Sequence, residues 1–348
     1  MVIKYAADLQ ELVTTTLVAA GSPPHHAEIV AKHLVGAEAC GVQTHGIFQI
    51  PGYLQNIRDG LLVPTNEPEV ISDQGNCVHI SGNVGWGHVA AEFATSKGIE
   101  KTSEHGMALI GLVRCNHIGR LGHFVEMAAA AGIISFIWDS GICSNARRVA
   151  PFAGRDRTLD VNPIAIGVPA AQQPPIIIDY ATSGGSFVKV MNAQRRHETL
   201  SPGAIVDKQG QPSVDPNDYY DGGALAPFGG HKGYSLMVAT EMLGRIFAAA
   251  DDHARDGEGT EDMRHQGVTF MMFRADLFGS QQDFEKRVDQ SLERIVGSRP
   301  AAGFDKVRYP GQKEAAARTT ANTQGISIAD DVWEQFVKAA KTVDVIVP

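Results

Sequence analysis

The chain has 348 residues, of which 43% are hydrophobic and 20% are charged, and its formal net charge is −9. At about 150 residues per domain, this length predicts two domains with cores of ordinary size. The acidic balance argues against nucleic acid or an anionic membrane surface as the main partner, although it permits a local basic pocket for a small anion.

The sequence shows no signal for export and no membrane-spanning segment. The first residues include an acid and no apolar h-region, and the longest apolar stretch, residues 127–138, is shorter than the roughly 20 residues of a membrane span. The four cysteines, Cys40, Cys77, Cys115 and Cys143, are widely spaced and form no CxxC motif. They are expected to be buried thiols in a reduced compartment. The sequence therefore predicts a cytoplasmic protein.

Apolar residues at helical spacing predict three helices within residues 8–60, with Ser22 as the N-cap of the second and the third running from about 46 to 59. Prolines at 64 and 68 then mark a linker. Short β-prone runs follow and alternate with helix candidates over 88–101 and 123–131. These runs are residues 77–80, 107–113, 133–138, 164–168 and 176–179. The middle of the chain is therefore predicted to be α/β.

The last third is predicted to be mainly helical. Helices are expected over about residues 234–250, 281–296 and 328–340, because apolar residues recur there at helical spacing. The polar and acidic segment 251–266 is expected to be a surface loop.

A first candidate site is the turn formed by Thr44, His45 and Gly46. A histidine has an unperturbed pKa of about 6.5, so it can give or take a proton near neutral pH. Thr44 can orient its ring. An alternative without a function is also open, in which Thr44 caps a helix and His45 is an ordinary surface residue.

A second candidate is the loop of residues 114–123, which follows an apolar strand and opens a helix. Backbone N–H groups at such a junction suit a phosphate, and Arg120 adds positive charge. The loop lacks the GxGxxG dinucleotide fingerprint. His117 and His123 do not have the i, i+4 spacing of a helical zinc pair, so no metal site is expected.

Two further loops suit an anion. Residues 229–233 place Lys232 and glycines before a helix, without the spacing of a P-loop, so nucleotide hydrolysis is not supported. Residues 308–313 combine a Pro-Gly turn with flanking Arg308 and Lys313.

Two further segments, residues 160–163 and 179–183, lie beside apolar strands, where polar residues are often functional in α/β proteins. Solvated or capped turns explain all four segments equally well.

Six segments occur in one order: residues 44–53, 116–117, 162–163, 178–183, 227–234 and 308–311. In this order they resemble the malate/L-lactate dehydrogenase family of NAD(P)-dependent oxidoreductases over about residues 5–340. The resemblance implies a non-Rossmann α/β fold, with a mixed-sheet dinucleotide-binding domain of residues 69–314. A helical domain would be built from both chain ends, residues 1–68 and 315–348. A homodimer and a small-molecule substrate are also implied.

The resemblance further implies roles for individual residues in hydride transfer between NAD or NADP and C2 of a 2-oxo or 2-hydroxy acid. His45 matches the catalytic histidine, Thr44 would hold its ring, and Lys189 would bond the reacting oxygen or tune His45. Gln49, His117 and Asn162 would bind substrate. The cofactor would contact His117, Ile118, Gly119, Arg120, Leu121, Asp179, Tyr180, Ala181, Thr182, His231, Lys232, Val307, Arg308, Tyr309, Pro310, Gly311, Gln312 and Lys313.

Some positions depart from the family's usual residues. They are Gln49 for Arg, Val161 for Thr, and Phe187 and Val188 for Arg-Gly. An Arg at position 49 could hold a substrate carboxylate bidentately, whereas Gln49 brings no charge. We therefore hypothesise a larger or less anionic substrate than lactate or malate, with Arg120 or Arg147 as another source of positive charge.

Three alternatives stay open at this point. A cyclic-imine 2-carboxylate reductase of the same family is disfavoured by Lys189, since imine reductases carry Asp there. A cofactor-binding homologue without catalysis would explain the altered pocket but not the retained His45. The third is a metal hydrolase. The sequence does not distinguish NAD from NADP.

Overall fold

The computed structural model describes residues 1–141, 147–260 and 263–347. Within these residues the chain forms twelve α-helices and twelve strands. The helices are α1 (Ala6–Ala19), α2 (Pro24–Ala39), α3 (Ile50–Arg58), α4 (Gly87–His105), α5 (Leu121–Ala130), α6 (Phe187–Arg196), α7 (Pro216–Tyr220), α8 (His231–Glu241), α9 (Ala250–His253), α10 (Gln281–Val296), α11 (Gln312–Gln324) and α12 (Asp330–Lys341). The strands are β1 (Val2–Lys4), β2 (Glu69–Asp73), β3 (Cys77–Ser81), β4 (Met107–Val113), β5 (Ile133–Ser140), β6 (Ile164–Val168), β7 (Ile176–Tyr180), β8 (Ile205–Val206), β9 (Pro212–Ser213), β10 (Ala224–Leu225), β11 (Gly267–Arg274) and β12 (Ile326–Ile328).

A seven-stranded mixed sheet organises the middle of the molecule, with the strand order β2-β3-β4-β11-β5-β6-β7. β3 and β4 are parallel, and the other neighbouring pairs of this sheet are antiparallel. A Rossmann sheet is mostly parallel and has a different strand order. The expected non-Rossmann α/β fold is therefore confirmed.

β11 lies at the centre of the sheet and is not among the predicted strands. It pairs with β4 from Gly267↔Val113 onwards and with β5 from Gly267↔Ser140 onwards. Phe270 and Met272 of β11 are fully buried among apolar side chains of α4, α5 and the neighbouring strands. A strand that is buried on both faces lacks the alternation of polar and apolar residues by which a strand is recognised in a sequence. This explains why β11 was not predicted.

The five predicted β-prone runs form β3 to β7, and α10 has the ends expected for residues 281–296. The predicted helix 234–250 needs correction, because α8 begins at His231 and ends at Glu241. A π-turn, Met242–Ile246, follows it, and Ala249 has a φ of 54°. The polar segment 251–266 begins inside α9, and Ile328 ends a strand rather than beginning a helix.

The two chain ends pack together in a helical unit formed by α1, α2, α3, α11 and α12. Leu9, Leu34, Ile50 and Phe336 are all fully buried in its apolar cluster. β1 pairs with β12 in antiparallel register from Val2↔Ile328. We propose that this unit and the sheet with its flanking elements are the two domains, with the boundaries expected above.

Ser22 does not cap α2, because Pro23 occupies the N-cap position. Instead, the buried Ser22 hydroxyl accepts a hydrogen bond from Trp86 Nε1 at 3.0 Å. Cys40 and Cys115 are buried free thiols, but Cys77 is exposed, contrary to expectation. Cys143 lies outside the described residues. No helix in the described part of the chain is long and apolar enough to cross a membrane.

Candidate active site

A cleft of about 930 Å³ lies between the helical unit and the sheet. This volume falls within the range of about 300–1,000 Å³ that is typical of ligand sites. The cleft is lined by the turn before α3, the loop before α5, the ends of β5 and β7, and the turn before α11. The expected site residues among its lining are Thr44, His45, Gln49, His117, Gly119, Arg120, Leu121, Asn162, Asp179, Tyr180, Ala181, Pro310 and Gly311.

The other expected residues do not line this cleft. Lys189 is exposed on α6, although its neighbours Ser186, Phe187, Val188 and Met191 do line the cleft. Ile118 and Thr182 are buried, and the Thr182 hydroxyl donates to the carbonyls of Val161 and Asn162. Tyr309 is buried and donates to the carbonyl of Pro174. His231, Lys232, Arg308 and Lys313 are exposed, and Val307 and Gln312 are partly buried.

His45 ends a short 3-10 helix, Gln43–His45, at the entrance to α3. Its Nδ1 lies 3.1 Å from Thr44 Oγ1, and Gln49 Nε2 donates to the carbonyl of Thr44 at 2.7 Å. The ring stacks on His117, with 5.6 Å between centroids and 21° between planes. Burial lowers the pKa of His45, whereas the carboxylate of Asp179 opposes that shift. Two imidazoles thus face the cleft together.

A buried acid, Glu38, supports the turn that carries His45. The Ile47 N–H donates to Glu38 Oε1 at 3.0 Å, and burial raises the pKa of Glu38 to about 7. A Cβ at position 46 would overlap the Glu38 carboxyl, so Gly46 allows the two to pack. Glu38 was not singled out from the sequence, although an acid among the apolar positions of α2 is the kind of signal that marks it.

The Tyr53 hydroxyl contacts His117 and holds its ring in place. Tyr53 Oη lies 2.7 Å from His117 Nδ1 and 3.5 Å from His88 Nε2. The His88 and His33 rings pack with 4.7 Å between centroids, and the Arg120 N–H donates to His33 Nε2 at 2.8 Å. Burial lowers the pKa of both His33 and His88. Burial, followed by the charges of His45 and Arg148, lowers the pKa of His117 to about 3. These three imidazoles are therefore neutral near pH 7.

Arg120 is held by acids of the protein. Its Nη2 lies 2.8 Å from Glu126 Oε1, and its Nε lies 3.9 Å from Asp179 Oδ2. Arg318 of α11 also contacts Glu126, at 2.6 Å. The Gly122 N–H donates to Asp179 Oδ2 at 2.7 Å. Arg120 thus faces two acids and its side chain is only 3% exposed, which argues against it as the source of the missing substrate charge.

Arg148 lines the cleft, whereas its neighbour Arg147, named from the sequence, is exposed and does not. Arg148 Nη1 lies 3.2 Å from Asp160 Oδ1. Asp139 also lines the cleft, receives both hydrogen bonds of Gln266 Nε2 at 2.9 and 3.1 Å, and has its pKa raised to about 7 by burial. Beside Arg120 and Asp179, the cleft therefore contains a second cation, Arg148, with two acids at adjoining strand ends.

Both amide atoms of Asn162 have partners inside the protein, Ser140 Oγ at 2.9 Å and the Met237 carbonyl at 3.1 Å. Three other residues of the lining carry buried polar atoms without a hydrogen-bond partner in the described structure. They are Asn116 Oδ1, Thr260 Oγ1 and Gln266 Oε1. Buried polar atoms are usually satisfied by protein, water or ligand, so these atoms mark the cleft as a binding site.

The family pattern of the malate/L-lactate dehydrogenases matches residues 5–337 of the chain. The protein belongs to the malate/L-lactate dehydrogenase family. It is 31% identical over 346 residues to the L-lactate dehydrogenase of Cupriavidus necator, covering 97% of both sequences. This malate/L-lactate dehydrogenase family member also resembles solved structures along nearly its full length.

One such structure is the sulfolactate dehydrogenase of Methanocaldococcus jannaschii, with a TM-score of 0.89, 27% identity, and 99% and 98% of the two chains covered. Another is the delta1-piperideine-2-carboxylate reductase of Pseudomonas syringae pvar. tomato, with a TM-score of 0.84, 28% identity, and 97% and 100% covered. The resemblance seen in the six sequence segments is confirmed. Malate/L-lactate dehydrogenase family members are NAD(P)-dependent oxidoreductases of hydroxy acids, which places this protein among oxidoreductases.

Proposed function

We propose that the protein transfers a hydride between a nicotinamide dinucleotide and C2 of a 2-hydroxy or 2-oxo acid. The observation that carries this proposal is one cleft that holds the stacked imidazoles of His45 and His117 together with Arg148. An acid–base group and a carboxylate-binding cation are the two protein functions that this reaction needs beside the cofactor.

The cofactor would be held at two helix N-termini that border the cleft. Gly119, with a φ of 80°, precedes α5, and Gly311, with a φ of 91°, precedes α11. Glycine adopts these angles without strain, and a helix N-terminus such as that of α11 offers unpaired N–H groups to phosphates. At the start of α5 the backbone N–H groups of Arg120 and Gly122 are already bonded to His33 and Asp179, so that turn would contact the cofactor through its other atoms. A bound nicotinamide supplies or accepts the hydride. NAD and NADP are both compatible with this arrangement.

Four exposed basic residues remain proposed contacts for the phosphates of NAD or NADP. Arg308 and Lys313 flank the lining residues Pro310 and Gly311 on the turn before α11. His231 and Lys232 begin α8, outside the cleft. Their positive or potentially positive side chains suit an anionic ligand. Tyr180 and Ala181, at the end of β7, are proposed to contact the cofactor from the sheet side.

His45 would donate the proton to the substrate oxygen during reduction and take it back during oxidation. Thr44 Oγ1 lies beside Nδ1, which leaves Nε2 as the nitrogen that meets the substrate. The lowered pKa of His45 favours the neutral ring, which accepts the proton during oxidation, whereas reduction needs the imidazolium. Asp179 would stabilise the imidazolium that forms, and the stacked His117 would limit rotation of the ring.

Arg148 would bind the substrate carboxylate in place of an arginine at position 49. Gln49 brings no charge, and its amide nitrogen is already bound to the Thr44 carbonyl. Asp160 would orient the Arg148 guanidinium through Nη1. Because the Asp160 carboxylate already lies beside Arg148, a second negative charge on the substrate would be repelled. We infer a substrate with one carboxylate and a larger neutral group.

A cyclic-imine 2-carboxylate is the second candidate substrate class. The residue that favoured 2-oxo acids over imines was Lys189, and its side chain is exposed outside the cleft lining. The likeness to a piperideine-carboxylate reductase supports including this class. The acids of the cleft would tolerate a protonated imine nitrogen, since opposite charges attract.

The test begins with fluorescence titration by NADH and NADPH, followed by turnover with a panel of 2-oxo acids and delta1-piperideine-2-carboxylate. We expect micromolar binding of at least one dinucleotide and turnover of at least one substrate. His45→Asn should lower kcat by about 10²–10⁴-fold while the dinucleotide Kd stays unchanged. Binding of neither dinucleotide would refute the proposed cofactor site. Binding without turnover of any substrate would favour a homologue that has lost catalysis.

The role of Arg148 is tested with Arg148→Gln and, as a matched control, Arg147→Gln. A charge-assisted hydrogen bond contributes about 1.5–3 kcal/mol, so Arg148→Gln should raise KM by about 10–100-fold. The exposed neighbour Arg147 should leave KM unchanged. If the two variants behave alike, Arg148 does not bind the carboxylate.

A further inference from the structure

Outside the cleft, His25, His26 and Glu67 bring three metal-ligating side chains together. Among the described residues, they are the one such group of three or more, with ligand atoms all within 4.8 Å of one another. His25 and His26 lie in the first turn of α2. Glu67 lies between α3 and β2, on the segment that leads from the helical unit to the sheet.

The decisive residue is His26, whose side chain is fully buried. Its Nδ1 lies 2.9 Å from the Pro64 carbonyl oxygen. A carbonyl oxygen only accepts hydrogen bonds, so Nδ1 carries the ring proton and neutral His26 has its lone pair on Nε2. Nε2 lies 3.1 Å from Glu67 Oε2, within ion-pair distance but outside good hydrogen-bond geometry. Two lone pairs at this distance repel each other unless a proton on Nε2 or a metal ion lies between them, and the test below distinguishes the two.

His25 completes the group from the solvent side. Its Nε2 lies 3.1 Å from Glu67 Oε1, and the His25 and His26 rings have centroids 4.2 Å apart. The Glu67 carboxylate is thus bracketed by two imidazole nitrogens. Zn²⁺ takes histidine nitrogen and carboxylate oxygen at about 2.0–2.2 Å in a tetrahedron, whose corners are about 3.3 Å apart. The two nitrogen–oxygen separations of 3.1 Å, each to a different Glu67 oxygen, are close to that spacing, and the ligand atoms all lie within 4.8 Å of one another.

The hydrogen bond of His26 to Pro64 supports the same chemistry. A metal-bound histidine usually donates its other ring N–H to a carbonyl or carboxylate, which fixes the ring and its tautomer. Here a backbone carbonyl does so before any ion arrives. The buried ring therefore needs little rearrangement to bind a metal.

We propose that His25, His26 and Glu67 bind a divalent transition-metal ion, with Zn²⁺ as the best match and water in the fourth position. The ion would join the start of α2 to the segment before β2. That segment is also held on the sheet side, because Asn83 Nδ2 donates to the Glu67 carbonyl at 3.0 Å. The site is structural and does not depend on the proposed oxidoreductase function.

The test uses the full chain without a histidine tag. Zn²⁺ is titrated by calorimetry, and Co²⁺ is titrated by the visible absorption of tetrahedral sites. We expect one ion per chain and a rise in Tm on loading. Glu67→Gln and His25→Ala alter exposed side chains, so both should fold; each should weaken binding at least tenfold and abolish the rise in Tm.

The matched control is His265→Ala, which removes an imidazole that lies 2.8 Å from the Asp251 carboxylate and belongs to no group of three ligating side chains among the described residues. It should bind Zn²⁺ as the unaltered chain does. Equal binding by Glu67→Gln or His25→Ala would refute the site. An absence of Zn²⁺ binding, with His26 observed by NMR as an imidazolium paired to Glu67, would refute it too. Neither result bears on dinucleotide binding.

Discussion

The turn that presents His45 depends on the close packing of Gly46 against the buried carboxyl of Glu38. The Glu38 carboxyl accepts a hydrogen bond from the Ile47 N–H. This N–H lies at the start of a short 3-10 helix, Ile47–Gln49, where backbone donors have no partner within the helix. A single buried acid thus sets the backbone path of two residues that line the cleft, Thr44 and His45.

Gly46→Ala is expected to destabilise the protein and to misplace His45. The added methyl would push the Glu38 carboxyl away from the Ile47 N–H and leave a buried donor unpaired, which costs about 1–3 kcal/mol. Urea unfolding should show this loss. Gly36→Ala on α2 is the control, because a methyl there enters open space and should stabilise the helix by about 0.5–1 kcal/mol. Equal stability of the two variants would contradict the packing argument.

Glu38 should also make stability depend on pH. Its pKa is raised by burial from 4.5 to about 7 in the folded state, so the folded protein binds the proton more tightly than the unfolded chain. The stabilising effect is complete below pH 4.5 and is lost as the pH rises through 7. Relative to Glu38→Gln, the unaltered protein should lose about 3 kcal/mol across this window.

The measurement is the difference in unfolding free energy between the protein and Glu38→Gln at a series of pH values. Using the difference removes the parallel contribution of Asp139, whose pKa is also raised to about 7. A difference that stays constant from pH 4.5 to 8 would show that Glu38 remains ionised in the folded state.

Several site residues were identifiable by type and position, but their surroundings were not. Thr44 and His45 suggested acid–base chemistry, and the resemblance assigned His117 to substrate and cofactor binding; all three line the cleft. Arg147 and Arg148 are adjacent and identical in type, so only the fold could separate the exposed one from the one in the cleft. One acid beside Arg120, Glu126, is six residues away, but the other, Asp179, lies on β7, so the complete arrangement leaves no local pattern.

Among the secondary-structure elements, β11 lies at the centre of the seven-stranded sheet but was not predicted from the sequence. β3 to β7 were predictable because β-branched runs are bounded there by turn residues. β11 follows a polar segment, and its apolar residues are buried on both faces. The early end of α8 was equally hidden, since the π-turn that follows it packs the buried Gly244 against β5 and Gly267, contacts that no local pattern indicates.

Phe270→Ala in β11 should reduce the unfolding free energy by about 3–5 kcal/mol, because it would open a cavity in the middle of the sheet. Phe270 has no exposed surface. Phe278→Ala, at a fully exposed position in the turn after β11, should change stability by less than about 0.5 kcal/mol. Chemical denaturation of the two variants checks the assignment, and a small effect at Phe270 would place the strand elsewhere.

For the molecule as a whole, the helical unit joins residues from opposite ends of the sequence around one core. Phe336 of α12 is buried in the cluster that also contains Ile47 and Ile50, next to the turn of His45. The C-terminal helix therefore supports the N-terminal part of the cleft. No local pattern in either segment indicates this partnership, which was expected only from the family resemblance.

Phe336→Ala should increase amide hydrogen exchange in α3 as well as in α12, because both elements share the core that the cavity would weaken. The matched control is Phe304→Ala, since Phe304 is largely exposed and should leave exchange unchanged. Mass spectrometry of peptides from residues 43–58 reads the effect directly. Faster exchange confined to α12 would show that the two chain ends are energetically separate.

The central place of β11 also has a consequence for synthesis of the chain on the ribosome. β4 and β5 emerge early, yet neither pairs with the other, because β11 lies between them. The chain must extend from Ser140 to Gly267 before that partner exists. Until then two apolar strand edges remain open, and such edges are the usual sites of aggregation in a nascent chain. Chaperone binding during translation should therefore concentrate between the emergence of β5 and that of β11.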